Sequence, residues 1–187
     1  MRENKIKKIA VIGPECTGKS TLCSQLAVHY NTQWCPEFAR GYLQKQGMKY
    51  SYENLLTIAK GQVAMEEEFI QRISDPQLAA NNSKLLFIDT DMYVMKVWSE
   101  FVFGRCHQWI LEQIIERKYD LYLLCNTDLP WVKDELREYP DLTTREKLFR
   151  IYKDILINQN TPWAMIGGDA DSRLNNAINA VDTLLNK

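Results

Sequence analysis

The 187-residue sequence is long enough for one domain, or for one domain with a lid. Hydrophobic residues make up 45% and charged residues 25% of the chain, which is typical of a globular protein with a sizeable core. The net charge of −1 leaves no positive excess to indicate a nucleic-acid or membrane partner. Five cysteines without a CxxC pair, and no recognisable signal or membrane-spanning segment, predict reduced thiols in a cytoplasmic protein.

Short apolar strands alternate with amphipathic helices along the chain. The predicted strands cover 8–12, 32–35, 84–88, 119–125 and 163–166. The predicted helices cover 19–30, a segment from Pro36, a long segment from about Tyr52, and 91–103, 144–158 and 172–185. This alternation indicates βαβ units, so we expect an α/β three-layer sandwich with a central, mainly parallel five-stranded sheet. Ligands of such sheets bind at the carboxyl ends of the strands.

The first strand is followed by Gly13-Pro14-Glu15-Cys16-Thr17-Gly18-Lys19-Ser20, which matches the P-loop pattern GxxxxGK[ST]. Backbone N–H groups of such a loop surround a phosphate, and the following helix N-terminus favours anions. In this pattern Lys19 reaches the β and γ phosphates of ATP, and the Ser20 hydroxyl ligates Mg²⁺. The residues predicted to contact ATP here are Gly13, Glu15, Cys16, Thr17, Gly18, Lys19, Ser20 and Thr21. The fold expected is therefore that of a P-loop NTPase.

Carboxylates follow the second and third strands. Four apolar residues end in Asp89, which is the Walker-B arrangement, and we predict that Asp89 holds Mg²⁺ beside Ser20. Asp91 is either a helix N-cap or a substrate or metal ligand. Glu37 and Arg40 share one side of a first helical turn, where Glu37 can accept a proton from a substrate hydroxyl. The alternative for Glu37 and Arg40 is a surface ion pair.

A polar segment after the fourth strand predicts a small lid at about 127–147. It carries Trp131, Asp134, Arg137 and, further on, Arg145. A lid arginine stabilises charge on a transferring phosphoryl group, which is the role predicted for Arg137; Arg145 is equally compatible with solvated charge. Gly167 and Gly168, ahead of Arg173, suit the close approach of adenine or a plain helix entry. We add Arg173 to the predicted ATP contacts.

Together with the phosphate loop, three further motifs carry a family resemblance. They are Pro36-Glu37-Phe38-Ala39-Arg40, Phe87-Ile88-Asp89-Thr90-Asp91, and Leu129-Pro130-Trp131 with Asp134 and Arg137. From about residue 8 to 185 the chain resembles the ribosylnicotinamide kinase domain at the C-terminus of the NAD-biosynthesis regulator NadR, and its stand-alone relatives. The resemblance implies that ATP and nicotinamide riboside give ADP and nicotinamide mononucleotide.

The resemblance also implies roles for single residues. Catalytic roles are predicted for Lys19, Glu37, Asp89 and Arg137, and the candidates for the general base are Glu37, Asp89 and Asp91. Substrate contacts are predicted for Glu37, Arg40, Asp91 and Trp131. The aromatic residue that precedes the glutamate in the family is Pro36 here, so Trp34 or Trp131 is the candidate for stacking on the substrate base. Trp98 lies on a helical core stripe and is predicted to be packing.

The resemblance is to the kinase domain alone. We expect a single P-loop kinase domain over 1–187 and neither repression nor adenylyl transfer, because the first strand begins within ten residues of Met1. Two other readings stay open at this point. One is a kinase for another nucleoside or small alcohol, and the other is a nucleotide-binding regulatory ATPase. The sequence is compatible with a homo-oligomer.

Overall fold

The structure is a computed structural model that describes residues 6–47, 49–75 and 84–186. Its elements in chain order are β1 (Lys7–Ile12), α1 (Lys19–His29), β2 (Gln33–Cys35), α2 (Phe38–Gln46), α3 (Tyr52–Ser74), β3 (Leu85–Asp89), α4 (Met92–Phe103), α5 (Gln108–Glu116), β4 (Leu121–Cys125), α6 (Leu142–Ile157), β5 (Trp163–Ile166) and α7 (Ala170–Leu185). No helix in the described ranges is both long and apolar enough to cross a membrane.

The five strands form one sheet in the order β2-β3-β1-β4-β5, and every neighbouring pair is parallel. This confirms the predicted α/β fold. β1 lies at the centre, where Val11 is level with Asp89 of β3 on one side and Leu123 of β4 on the other. Strands β3 and β4 are buried along their whole length, which explains their continuous apolar sequences. The carboxyl ends of all five strands therefore share one edge.

Helices cover both faces of the sheet. On one face, apolar side chains of α1 and α7 such as Leu26 and Val181 pack on β1 and β4. On the other face, α4 and α6 contribute Val97, Leu148 and Tyr152. Helices α2, α3 and α5 form a third apolar cluster beside the second layer. The three-layer arrangement follows from strands that must be covered on both sides.

The helices differ from the sequence prediction at α5 and at the starts of α6 and α7, the last of which begins at Ala170 and not at Ser172. α5 was not predicted, because only Ile110 of its nine residues is fully buried and the helical stripe is weak. α6 begins two residues earlier than predicted, because the Asp141 carboxylate accepts the Thr144 N–H at 2.7 Å and caps the helix. The predicted start of α3 is confirmed by a capping box between Ser51 and Asn54.

Candidate functional site

The phosphate loop joins β1 to α1 in a backbone conformation that glycine alone accommodates easily. Gly13 has φ 140°, and a Cβ there would lie 2.7 Å from the carbonyl oxygen of Cys125. Gly18 has φ 77° and is the residue before the first turn of α1. The Thr17 hydroxyl donates to the Pro14 carbonyl at 2.7 Å and braces the loop from inside. The two glycines therefore have the conformational reason that the motif predicted.

A cleft of about 340 Å³ opens at the carboxyl edge of the sheet, a volume within the range of small-ligand sites. Every residue from Gly13 to Thr21 lines the cleft, so all the predicted loop contacts face it. The opposite walls come from α2, α4, α6 and the segment before α6. Their lining residues are Glu37, Ala39, Arg40, Leu43, Val94, Val97, Trp98, Phe101, Leu136, Arg137, Glu138, Tyr139, Leu148 and Tyr152.

Ser20 lines the cleft, and its hydroxyl contacts the buried carboxylate of Asp89. The Ser20 Oγ donates to Asp89 Oδ2 at 2.5 Å, while the buried Asp89 Oδ1 has no hydrogen-bond partner within the described ranges. Burial raises the pKa of Asp89, and the positive charge of Lys19 opposes that shift. An unpartnered carboxylate oxygen beside a hydroxyl suits Mg²⁺, which takes one or two protein oxygens and completes its shell with phosphate and water. These residues therefore fit the predicted metal.

Glu37 stands at the end of β2, across from the phosphate loop. It precedes α2 without capping it, so its carboxylate is left facing the cleft, where it accepts the Thr90 hydroxyl at 3.4 Å. Removal from water raises the pKa of Glu37, an effect that the nearby charge of Lys19 opposes. A carboxyl group with a raised pKa close to a phosphate-binding lysine is a reasonable proton acceptor.

Lys19 and Arg40 supply two of the positive charges that line the cleft. The Lys19 ammonium donates to the Pro14 carbonyl at 2.9 Å, and so lies folded over the loop. Arg40 pairs with Asp134 at 3.3 Å, bridging α2 to the segment before α6. This is an ion pair, as in the alternative for Arg40, but its partner is Asp134, and Arg40 lines the cleft. Its partial exposure makes the pair worth little in stability.

The structure corrects the prediction that Asp91 contacts substrate. Its side chain is 1% exposed, does not line the cleft, and accepts the Val94 N–H at 3.2 Å as the N-cap of α4. Burial raises the pKa of Asp91 to about 7, opposed by hydrogen bonds from the Val94 backbone and the Tyr122 hydroxyl. Capping is therefore the role of this carboxyl group, because the helix start draws it inside the protein.

The segment 126–141 between β4 and α6 runs over the phosphate loop and corresponds to most of the predicted lid. Two side chains of the loop hold it. The Glu15 carboxylate accepts the Glu138 N–H at 3.0 Å and also the Tyr139 N–H. The Cys16 thiol lies 3.6 Å from the Pro130 carbonyl oxygen. The side chains of Glu15 and Cys16 are therefore engaged with this segment, which leaves their backbone N–H groups for the predicted contacts with ATP.

Trp131, predicted to contact substrate, is not on the cleft wall. Two guanidinium groups lie near its ring, that of Arg137 at 5.9 Å and that of Arg145 at 5.4 Å from the ring centre. Arg137 also donates to the Val132 carbonyl and lines the cleft. Arg145 is 4% exposed, and its Nε and Nη1 have no hydrogen-bond partner in the described part of the chain. Arg145 is thus a buried cation with free donors, not solvated charge.

The aromatic wall of the cleft comes from residues that the sequence did not single out as ligands. Trp98 lines the cleft and donates through Nε1 to the Tyr50 hydroxyl at 2.8 Å; Tyr50 donates in turn to Glu138 at 3.0 Å. Phe101 and Tyr139 complete this wall, edge to face at 5.3 Å. Trp34, the other predicted stacking residue, packs on the apolar layer of α1 and α7. The prediction that Trp98 only packs is corrected, because one face of its helical stripe opens on the cleft.

Arg173, predicted to contact ATP, is turned into the protein. It is 5% exposed, and its guanidinium donates to the Thr17, Ile166, Gly168 and Asn126 carbonyls and to the Asp128 carboxylate. These bonds use all the N–H groups of the side chain. Arg173 therefore holds the base of the phosphate loop to the ends of β4 and β5, and the predicted contact of its side chain with ATP is corrected.

Replacement of Arg173 by methionine is expected to lower the free energy of unfolding by about 3 kcal/mol, because it strands buried acceptors and the Asp128 carboxylate. Urea denaturation measures the loss. Arg150→Met, at an arginine whose side chain is 77% exposed, is the matched control and should change stability by less than about 0.5 kcal/mol. An Arg173→Met protein as stable as the wild type would contradict the structural role.

A phosphate loop between β1 and α1, with acidic residues at the ends of β2 and β3, defines a P-loop nucleotide-binding protein. Comparison with known families agrees. The chain belongs to the family described as an AAA domain, whose model matches residues 8–173.

Among characterised proteins, the chain is 28% identical over 185 residues to the trifunctional NAD biosynthesis/regulator protein NadR of Escherichia coli (strain K12), and equally to that of Salmonella typhimurium. The match covers 96% of this chain but 43% of either relative, so the chain spans less than half of their length. The recognition made from the sequence motifs is confirmed by this similarity.

Solved structures show the same fold. A crystal structure of NadR protein in complex with NR superposes with a TM-score of 0.73 at 20% identity, covering 96% of this chain and 50% of that one. The NadR protein in complex with NAD and AMP-PNP gives a TM-score of 0.69 at 19% identity, over 97% and 50% of the two chains. Thymidylate kinase from Ehrlichia chaffeensis gives 0.61 at 16% identity, over 95% and 99%.

Proposed function

We propose that this chain transfers the γ phosphoryl group of ATP to the ribose 5′-hydroxyl of nicotinamide riboside, giving ADP and nicotinamide mononucleotide. One observation carries the proposal. The cleft has the phosphate loop at one end and an aromatic wall with an acidic residue at the other, and Glu37 faces the space between them. We call the end of the cleft lined by Trp98, Phe101, Glu138 and Tyr139 the acceptor arm. A regulatory ATPase does not need such a site for a second substrate.

The nucleotide end is set out for the triphosphate of ATP. Backbone N–H groups of the loop and the N-terminus of α1 surround the phosphates, and Lys19 leaves the Pro14 carbonyl for a phosphate oxygen. Ser20, with Asp89 close by, would hold Mg²⁺, and the metal would neutralise charge on the phosphates of ATP. The relative solved with AMP-PNP supports a nucleotide of this kind.

The transfer step is assigned to residues around the acceptor hydroxyl. Glu37 accepts the proton of the 5′-hydroxyl as its oxygen attacks the γ phosphorus, and the bond from that phosphorus to the bridging oxygen of ADP breaks. Arg137 on the cleft wall is the cation of the lid that faces the developing charge. Arg40 stands at the acceptor rim beside Asp134.

The acceptor arm suits a flat, positively charged ring. Trp98, Phe101 and Tyr139 offer aromatic faces and edges, and the Glu138 carboxylate borders the same space. Aromatic faces attract cations, and a carboxylate adds to that attraction. The nicotinamide ring of the riboside is a pyridinium cation, whereas thymine and uracil are neutral. The relative solved with NR supports the same class of ligand.

Trp98→Ala is expected to raise the KM for nicotinamide riboside about 10-fold and to leave the KM for ATP within twofold. The reason is the loss of one stacking face, worth about 1–2 kcal/mol for a cation over an aromatic ring. Initial rates with each substrate varied in turn measure the effect. Trp109→Ala, on the outer helix α5, is the matched control. Equal effects on both KM values would exclude Trp98 from the acceptor site.

A nucleoside panel tests the proposed function. The purified chain is incubated with ATP, Mg²⁺ and one of nicotinamide riboside, thymidine, uridine or adenosine. The products are identified and quantified by mass spectrometry. We expect nicotinamide mononucleotide in the first reaction and at least 10-fold less product in the others. Phosphorylation of thymidine or uridine without that of nicotinamide riboside would favour another nucleoside kinase. ATP hydrolysis indifferent to every nucleoside would favour a regulatory ATPase.

A further inference from the structure

Gln62 of α3 is a buried side chain whose amide joins three separate parts of the chain. Its exposed fraction is 2%, and it does not line the cleft. Oε1 accepts the backbone N–H of Phe38 at 2.7 Å, while Nε2 donates to the carbonyl oxygens of Pro36 at 3.3 Å and Asp89 at 3.4 Å. Nε2 also lies 3.6 Å from the Cys35 sulfur, at the end of β2. The backbone partners of Gln62 are therefore the two neighbours of Glu37 and the Walker-B aspartate.

These contacts stand where the sheet stops holding the two strands together. β2 has three residues, and its last pair with β3 is Cys35 opposite Ile88. The next residue, Pro36, has no N–H to continue the ladder. Beyond that point the Gln62 amide donates to the carbonyl oxygens of both Pro36 and Asp89. Gln62 therefore holds the two chain segments together where the sheet hydrogen bonds end.

Gly61, the residue before Gln62, also helps to hold Phe38 in place. A Cβ at Gly61 would lie 2.2 Å from the Phe38 ring, so a glycine is required for that ring to rest on α3. Consecutive residues of α3 thus hold Phe38 twice, Gly61 by admitting its ring and Gln62 by accepting its N–H. Since Phe38 begins α2, the turn that carries Glu37 is fixed to the interior of the protein.

We propose that Gln62, together with Gly61, is a positioning residue that sets the distance between the Glu37 and Asp89 carboxyl groups. An amide is suited to this because it offers an acceptor and two donors, and the partners here are one N–H and two carbonyl oxygens. A shift of about 1 Å in a catalytic group can cost ~10²-fold in rate, so the spacing is functionally significant. The kinetic part rests on the proposed function, in which Glu37 accepts the proton.

Gln62→Met keeps the approximate volume and removes every hydrogen bond. We expect kcat to fall at least ~10-fold while the affinity for an ATP analogue stays within twofold. Gln71→Met is the matched control, because Gln71 lies exposed on the same helix. Gln62→Glu is the second variant: it keeps the acceptor for the Phe38 N–H but sets a buried carboxylate against the carbonyl oxygens of Pro36 and Asp89, so a loss of kcat at least as large as for methionine is expected.

A double-mutant cycle with Glu37→Gln separates positioning from simple destabilisation. If Gln62 acts through Glu37, then Gln62→Met lowers kcat little further once Glu37 is gone. Multiplicative losses in the double variant, or a wild-type kcat in Gln62→Met, would overturn the proposal. Thermal unfolding of each variant shows whether the protein remains folded.

Crystal structures of the wild type and of Gln62→Met test the positioning role without any substrate. We expect the separation of the Glu37 and Asp89 carboxyl groups to change by about 1 Å or more. An unchanged separation would overturn the positioning role even if no nucleoside were a substrate. Conversely, a changed separation in a chain that phosphorylates no nucleoside would support the positioning and reject the proposed function alone.

Discussion

Lys19→Ala is expected to lower kcat at least ~10³-fold, the largest effect of any single substitution in the cleft. The ammonium of Lys19 is the cation of the phosphate loop, and it lies 2.9 Å from the Pro14 carbonyl within reach of the cleft. Its removal leaves the charge that develops between the β and γ phosphates without its fixed partner. Steady-state rates with ATP and nicotinamide riboside measure the loss.

Lys153→Ala, at an exposed position of α6, is the control for the removal of a surface lysine and should retain the wild-type rate. Binding of a fluorescent ATP analogue separates the contribution of Lys19 to ATP affinity from its contribution to the transfer step. We expect analogue affinity to fall about 10-fold, much less than kcat, because the backbone of the loop still binds the phosphates. A Lys19→Ala protein with more than a tenth of the wild-type kcat would refute the assignment of the loop as the site of transfer.

Glu37→Gln is expected to lower kcat by at least ~10²-fold, the usual scale for the loss of general-base help. The amide keeps the size of the side chain and can still face Thr90, but it cannot take a proton. Rapid-quench kinetics measures the transfer step directly. Glu53→Gln, at an exposed position of α3, is the control. A wild-type rate in Glu37→Gln would remove this residue from the mechanism.

The pH dependence of the rate is a second test of Glu37 as the general base. Removal from water raises the pKa of Glu37, so the carboxylate becomes protonated at a pH above the usual range for glutamate. A general base must be deprotonated to act, and the wild-type rate should therefore rise with pH through this raised pKa and then level off. The corresponding acid limb should disappear from the residual activity of Glu37→Gln. A limb that persists in the variant would point to Asp89 instead.

The sequence was sufficient for the features that local pattern determines. The P-loop spacing predicted the glycine conformations and the position of Lys19, and the apolar run before Asp89 predicted a buried strand ending beside Ser20. The alternation of strands and helices predicted the parallel sheet. Each of these rests on neighbouring residues whose geometry is set within a single turn or strand.

The sequence was insufficient to predict whether a given side chain points into the cleft or into the protein interior. Arg173 and Asp91 carry the charges expected of ligands, yet both are drawn inward by hydrogen bonds to distant or helix-start backbone. Trp98 sits on a stripe that reads as core, and only the placement of α4 shows that part of the stripe faces the cleft. Gln62 had no motif at all, because its partners are 24 to 27 residues away.

The contact between Glu15 and the backbone of Glu138 and Tyr139 ties the nucleotide end of the cleft to the acceptor end. Glu138 and Tyr139 also border the aromatic wall, so a movement of the loop around the triphosphate alters the space offered to the ring of the second substrate. Thermodynamic linkage then requires reciprocity. Whatever factor ATP applies to the affinity for the nucleoside, the nucleoside must apply to the affinity for ATP.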